Sequence, residues 1–268
     1  MPPRYVMPHG ERGRNDEADA GAICEAATRP AMRFVGAKSP DQQATMMLHR
    51  VRKILTRQRT QISNALRAHM AEFGIVAAIG RGGLDRLIAV IADQNDARLP
   101  DEARSCLAVL CTQLEMVKEQ ILDNDRRILA DARKTETGRR LMKIPGIGPL
   151  LASAIVACVP DPAIFDGGRS LSAWIGLTPR QNSSGGKERL GSITKAGNTY
   201  LRELLVVGAM AVVRRAKQGS TKWPWVAQLL ERKKPKVAAV ALANKNARII
   251  WAMLATGEAY RETELAAA

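Results

Sequence analysis

Aromatic residues are scarce in this 268-residue chain, at 4% of the sequence. Sheet-rich sandwiches and barrels usually place aromatic side chains on their strands, so this scarcity favours helices. The hydrophobic share of 46% still supplies a buried core. The length suits about two domains. We therefore expect a mainly α-helical fold.

Cysteine and histidine are also few, and their spacing excludes the common zinc and disulfide frameworks. The four Cys residues form no C-x-x-C pair and have no His at ligand spacing. Buried free thiols in a reducing cytosol are expected for Cys24, Cys106, Cys111 and Cys158. All three His residues lie within the first 69 positions, so the second half has no imidazole base for acyl transfer.

Long apolar runs are absent as well. No stretch of the sequence reaches transmembrane length. The first residues, rich in Pro, Gly and Arg, lack the apolar segment of a secretory signal peptide. These absences predict a cytoplasmic, soluble protein with no membrane partner.

Positive charge, in contrast, is abundant and unevenly placed. The formal net charge is +15 and the pI is about 10.2. Residues 139–268 hold 20 Lys and Arg against 8 Asp and Glu, a net of +12, and the remaining residues have a net of only +3. Such a balance predicts a polyanionic partner, nucleic acid before a membrane surface, bound mainly by the C-terminal half.

Apolar spacing predicts long helices over Gln43–Phe73 and Asp101–Lys134, with shorter ones over 16–28 and 84–92. Residues 32–35 suit a short strand or an extended link, and residues 134–140 suit a polar hinge. The long helices carry the 3-4 spacing of a coiled-coil seam, with Asn124 at one seam position. An intramolecular helical hairpin and oligomerisation both fit this pattern. The seams comprise Leu48, Val51, Leu55, Gln58, Ile62, Ala65 and His69, then Leu107, Leu110, Leu114, Val117, Ile121 and Ile128.

A turn of the sequence Pro-Gly-Ile-Gly follows the hinge and precedes a small-residue apolar helix. This order is typical of a helix-hairpin-helix motif, in which backbone N–H groups and a helix N-terminus approach a DNA phosphate. The candidate DNA-binding residues of the turn are Gly146, Ile147 and Gly148. A tight turn between two core helices is the alternative.

The most informative stretch is residues 174–204, where two serines precede a Gly-Gly pair among five cations. A hydroxyl on a glycine-rich loop, ringed by Arg and Lys, suits phosphodiester chemistry because guanidinium groups neutralise a pentavalent phosphate. A solvated Ser/Gly turn in a basic protein is the alternative. The residues concerned are Ser183 and Ser184, with Arg180, Lys187, Arg189, Lys195 and Arg202.

Three segments in this order resemble the DEDD insertion-sequence transposases: IPGIGPLLASAIVA, FDGGRSLSAWIGLTPRQNSSGGKERLGSITKAGNTYLRELLVVGA and AVALANKNARIIWAML. The family includes relatives of the pilin-gene invertases and the bridge-RNA-guided recombinases. The resemblance covers nearly the whole chain. It implies a C-terminal remnant of an RNase H/RuvC-like domain over residues 1–40, a coiled-coil linker and oligomerisation region over 41–138, and a transposase domain over 139–268.

The resemblance also implies catalytic residues. The family's four acidic residues bind a divalent metal, and its Asp-x-x-Asp pair matches Asp16 and Asp19, which implies Mg²⁺. Because the family's first Asp and its Glu have no counterpart here, the resemblance implies an N-terminally truncated chain with two of four carboxylates. The serine before a glycine, the family's nucleophile, matches Ser184, with Ser183 as the second candidate.

The function implied is a DNA transposase or site-specific recombinase that breaks and rejoins strands. Its implied partners are DNA, a structured non-coding guide RNA and further copies of itself, as a dimer or tetramer. A non-catalytic, DNA-binding and oligomerising remnant is the alternative. A helix-hairpin-helix repair nuclease is a third interpretation, but it leaves the Ser-Ser-Gly-Gly block unexplained.

Overall fold

The structure, a computed structural model, describes residue 6 and residues 15–29, 36–182, 189–219 and 222–261. It confirms the mainly α-helical class, because the only sheet within these residues has two strands. The helices are α1 (Asp16–Thr28), α2 (Pro40–Glu72), α3 (Arg81–Ala92), α4 (Asp101–Lys134), α5 (Glu136–Leu141), α6 (Pro149–Cys158), α7 (Gly168–Ile175), α8 (Thr199–Lys217), α9 (Pro224–Arg232) and α10 (Pro235–Thr256). The strands are β1 (Pro179–Gln181) and β2 (Leu190–Ile193).

The chain forms two compact units, one of which comprises residues 44–131. Its core is shared by α2, α3 and α4, and it includes Leu66, Leu87 and Leu114. Apolar side chains of α4 are buried every seventh residue, at Leu107, Leu114, Ile121 and Ile128, as expected for a helix packed along one stripe. The α4 seam prediction therefore agrees with these buried positions.

The α2 seam was predicted correctly only in part: Ile62 packs against the core, and Leu48, Leu55 and Ala65 are half-buried. The buried residues of α2 are His49, Leu66 and Met70, none of which belongs to the predicted seam. Val51 of that seam is 40% exposed, and its neighbour Ile54 is 54% exposed. The apolar residues of α2 occupy more than one stripe, and spacing alone does not tell which stripe packs inward.

A buried arginine closes the C-terminal end of α3. Arg104 is 4% exposed, and its guanidinium donates hydrogen bonds to the backbone oxygens of Val90 (2.8 Å) and Ile91 (3.1 Å). It also donates to the backbone oxygens of Asp96 (2.6 Å) and Leu99 (3.3 Å). These carbonyls lie at or beyond the end of the helix, where they have no intrahelical partner. Arg104 therefore joins α4 to α3 and to the connection between them.

The other unit combines the described residues up to Gln43 with those from Ala132 onward. At its centre α8 and α10 pack closely through small side chains such as Ala209, Ala239 and Ala243, which are fully buried. Helix α6 is buried on most of its surface because almost all of its residues are apolar.

The polar hinge predicted over residues 134–140 is a helix instead. Thr135 caps α5 by accepting a hydrogen bond from the Gly138 N–H at 3.0 Å. Arg140 of this helix donates to the carbonyl of Met253 at 2.8 Å, which ties α5 to α10. A capping side chain and one tertiary contact stabilise a helix too short to form by itself.

The cysteines depart from expectation in burial. All four are free thiols, but only Cys158 is buried, and Cys24 and Cys106 are exposed. Helices of this length bury only one stripe, so a Cys elsewhere on the helix faces water. None of the helices that the structure describes is long and apolar enough to span a bilayer.

Candidate nucleic-acid interface

The turn over residues 142–148 connects α5 to α6. The Ile147 N–H donates to the Ile144 carbonyl at 3.0 Å, and both isoleucine side chains are buried. Gly146 has a φ of +86°, which L-residues with a side chain rarely adopt. A short helix, a turn and a second helix follow each other here, and the helix-hairpin-helix motif itself stays a prediction.

Two glycines let this turn lie directly against α8. A Cβ on Gly146 would meet the Gly208 carbonyl oxygen at 2.9 Å, and a Cβ on Gly208 would overlap the Gly146 carbonyl oxygen. Asn246 of α10 donates a hydrogen bond to the Pro145 carbonyl at 2.9 Å and is itself buried. The turn is therefore held by backbone contact on one side and by a buried amide on the other.

The N-terminus of α6 faces solvent. Its N-cap residue, Gly148, is exposed and extended, and it provides no side-chain oxygen to cap the helix. The first N–H groups of a helix lack intrahelical partners and carry the positive end of the dipole. This end of α6 therefore suits an anion, which a phosphate oxygen supplies.

A short β-hairpin brings two predicted DNA-binding residues together. Strands β1 and β2 are antiparallel, with Pro179 opposite Ile193 and Gln181 opposite Leu190. Arg180 and Arg189 are both exposed at this hairpin, and the Asn182 N–H donates to the Arg189 carbonyl at 2.9 Å. The residues between Asn182 and Arg189 include the remaining predictions for this region, Ser183, Ser184 and Lys187, which lie outside the described residues.

Lys195 lies where the chain leaves the hairpin and crosses the end of α7. Its N–H donates to the Gly176 carbonyl at 3.1 Å, and its φ of +54° makes it the only non-glycine described residue with a positive φ. A Cβ on Gly176 would overlap the Ala196 carbonyl, so the two segments touch through backbone. This backbone conformation is strained for a residue with a side chain. Lys195 is also exposed.

Arg202 supports this crossing. Its guanidinium donates to the carbonyls of Ile175 at 2.7 Å and Ala196 at 3.0 Å, and to the Thr199 hydroxyl at 3.1 Å. These bonds tie the end of α7 and the residue 194–198 segment to the first turn of α8. The structure therefore gives Arg202 a positioning role, and its predicted contact with DNA stays a prediction.

Asp16 and Asp19 lie on the first turn of α1, where both are exposed. Asn15 caps this helix by accepting from the Ala18 N–H at 2.7 Å. Mg²⁺ requires near-octahedral oxygen coordination, of which two carboxylates supply a part. Among the described residues, no His, Cys, Asp and Glu gather in a group of three or more. Metal binding by this pair therefore stays a prediction.

The sequence matches known transposases across almost its whole length. A model of the transposase IS116/IS110/IS902 family matches residues 138–224. The inferred transposase y4pF/y4sB of Sinorhizobium fredii is 45% identical over 98% of this chain and 68% of that protein. The transposase for insertion sequence element IS1111A of Coxiella burnetii is 40% identical over 97% of this chain and 71% of that protein. The transposase for IS1328 of Yersinia enterocolitica is 38% identical over 96% of this chain and 77% of that protein.

This chain belongs to the IS116/IS110/IS902 transposase family. The matched region of this transposase begins in α5 and ends at the start of α9. It contains the residue 142–148 turn, the β-hairpin and α8, which carries Arg202 and Gly208.

The residues that hold the turn of this transposase in place were not identified from the sequence. Asn246 and Gly208 come from two different helices, 101 and 62 positions after Pro145 and Gly146 respectively. Asn246 is a polar residue on an alanine-rich helix, and a buried polar residue normally has a hydrogen-bond partner. That composition marks it as a candidate contact, but only the packing identifies its partner.

Proposed function

We propose that this transposase binds DNA with the C-terminal unit and exchanges strands through a covalent serine–DNA intermediate. The observation that carries the DNA-binding part is the solvent-facing, uncapped N-terminus of α6 beside the residue 142–148 turn. Exposed Arg180, Arg189 and Lys195 belong to the same unit, whose C-terminal 130 residues carry a net charge of +12. Backbone N–H groups and cations together recognise phosphates without reading bases.

The chemistry proposed for Ser184 is transesterification in two steps. First the Oγ of Ser184 bonds to the phosphorus of a phosphodiester, and the bond from that phosphorus to one sugar oxygen breaks. The serine proton passes to water, and the freed sugar oxygen takes up a proton to become a hydroxyl. In the second step a sugar hydroxyl of another strand loses its proton to water and attacks the same phosphorus, which displaces Ser184, and the Oγ of Ser184 takes up a proton. The number of phosphodiester bonds is unchanged, so no external energy source is needed.

Arg180 and Arg189 are proposed to stabilise the pentavalent phosphorus. Arg180 lies in β1 and Arg189 directly before β2, so they flank the segment that carries Ser183, Ser184 and Lys187. Guanidinium groups form charge-assisted, often bidentate, hydrogen bonds with phosphate oxygens. Donors aimed at charge that develops in the transition state usually supply a large part of catalysis. No step of this scheme passes through Mg²⁺.

A structured RNA is proposed as the second nucleic-acid partner. Base pairing by such an RNA would specify target and donor sequences, while the protein contacts backbone and shape. The net charge of +12 over residues 139–268 is compatible with RNA and DNA together.

Self-association is proposed through the outer face of α2, which we define as Met47, Val51 and Ile54. These apolar residues follow a 4-3 spacing, and their exposed fractions are 64%, 40% and 54%. Such a stripe is the pattern of a coiled-coil contact. A second copy of the chain presents the same stripe, and it is the partner that we propose.

The test of strand exchange is covalent capture of DNA. The protein is mixed with duplexes carrying the element's ends and its non-coding RNA, and adducts are resolved on a denaturing gel. We expect adducts with wild type and with the matched Ser183→Ala control, and none with Ser184→Ala, while DNA retention on filters stays equal. Adducts that persist in Ser184→Ala would contradict the nucleophile assignment. DNA retention without any adduct in wild type would support a non-catalytic DNA-binding protein instead.

A further inference from the structure

A cleft of about 600 Å³ opens beside the residue 142–148 turn. One wall is the turn itself, and the other is formed by α8 and by the residues just before α9. Gly146 and Gly208, which lie in close contact, both line it. The hydrogen bond from Asn246 to Pro145 ties the turn to α10.

Three cations from three separate parts of the chain line this cleft. Lys143 belongs to the turn, Arg215 to the last part of α8, and Lys222 to the segment before α9, and all three are exposed. No Asp or Glu lines the cleft among the described residues. Its electrostatic potential is therefore positive, and it opens beside the positive end of α6.

We propose that this cleft binds a phosphodiester of the DNA backbone, with Lys143, Arg215 and Lys222 around the phosphate. The proposal rests on the DNA-binding part of the proposed function and adds cations that lie outside the Ser-Gly segment. The cleft has room for a sugar and its flanking phosphates as well as for a single ion. Contacts of this kind are independent of base sequence and position the duplex.

The test measures binding of the full chain to a duplex DNA of arbitrary sequence at several salt concentrations. Arg215→Gln is compared with Arg214→Gln, which removes the same charge from the neighbouring exposed residue of α8 but does not line the cleft. Circular dichroism and thermal melts verify that each variant folds.

We expect Arg215→Gln to reduce the slope of log K against log salt by about 1 and to weaken DNA binding about three- to tenfold near 0.1 M salt. Arg214→Gln should change both quantities clearly less. An RNA duplex of the same sequence serves as the second probe, and an effect confined to RNA would overturn the assignment to DNA.

Failure of this inference is distinguishable from failure of the proposed function. If wild type binds DNA and Arg215→Gln matches Arg214→Gln in slope and affinity, the cleft is not a phosphate site, whereas DNA binding stands. If wild type binds no DNA even at low salt, the DNA-binding proposal and the cleft proposal are both overturned.

Discussion

Replacing Gly208 by alanine tests how the residue 142–148 turn is held against α8. In an isolated helix this change is stabilising by about 1 kcal/mol, because alanine has the higher helix propensity. In the folded protein the added methyl group would overlap the carbonyl oxygen of Gly146, which is backbone and cannot rotate away. We expect the overlap to outweigh the propensity gain, so the substitution should be destabilising.

The magnitude follows from the two opposing contributions. Adding a methyl group to a well-packed interior costs roughly 1–3 kcal/mol. The upper end applies because the turn cannot retreat without breaking the 2.9 Å hydrogen bond from Asn246 to Pro145. A cost of about 3 kcal/mol and a gain of about 1 kcal/mol leave a net loss of about 2 kcal/mol. For a chain of this size, that loss lowers the melting temperature by about 4–8 °C.

Urea unfolding followed by far-ultraviolet circular dichroism measures this loss. The matched control is Gly21→Ala in α1, where no atom lies within 4 Å of the added methyl group. The control should be neutral or stabilising by up to about 1 kcal/mol, because propensity acts there alone. The two substitutions should therefore differ in sign. A Gly208→Ala protein as stable as wild type would refute the close-contact argument.

Three further predictions concern the unit over residues 44–131. Burial lowers the pKa of His49 from 6.5 to about 4, with Arg52 adding to the shift and Asp131 opposing it. Between these pH values His49 is protonated in the unfolded chain but not in the folded chain. The free energy of unfolding should therefore be highest above pH 6.5 and fall by about 3 kcal/mol towards pH 4. Urea melts at several pH values should show this fall in wild type and not in His49→Leu, and parallel profiles would contradict it. Arg104→Met should be destabilising by about 3 kcal/mol or more because four carbonyls lose their donor. Arg98→Met, whose side chain pairs with Asp96 at the surface, should change little in the same melts, and equal losses in both variants would count against the capping role. Ile54→Lys should reduce the assembly mass measured by light scattering. Ile79→Lys should not, because Ile79 is 99% exposed and lies outside α2. An unchanged mass for Ile54→Lys would exclude the outer face of α2 as the contact.

The helices could be predicted from the sequence because the signals that form them are local. Apolar spacing over Gln43–Phe73 and Asp101–Lys134 differs from the observed helices by a few terminal residues at most. The helix over 136–141 was missed because it is short, and its stability depends on the Thr135 cap and on tertiary contact.

The β-hairpin could not be predicted from pattern. Its strands are three and four residues long, and most of their residues are exposed, so they show no alternation of apolar and polar side chains. The burial of His49, which lies outside the predicted seam, could not be predicted from the sequence either, because several stripes of α2 are apolar enough to pack.

The residues of the candidate site could likewise be predicted from the sequence only in part. Arg180, Arg189 and the turn at Gly146–Gly148 were selected by sequence, because cations near serines and a Gly-x-Gly between helices are contiguous motifs. Arg202 was selected by charge alone, yet its guanidinium is engaged by backbone carbonyls. Charge in a sequence does not distinguish a side chain that binds a ligand from one that caps a helix.

The sequence by itself determined the helical class, the basic C-terminal half and the family, because composition, periodicity and contiguous motifs survive without coordinates. Only the tertiary structure decided which cations share a cleft. Lys143, Arg215 and Lys222 are up to 79 positions apart in the sequence. They line one cleft because Gly146 and Gly208 allow the residue 142–148 turn to contact α8. Contacts between distant segments depend on packing geometry, which no local pattern of residues encodes.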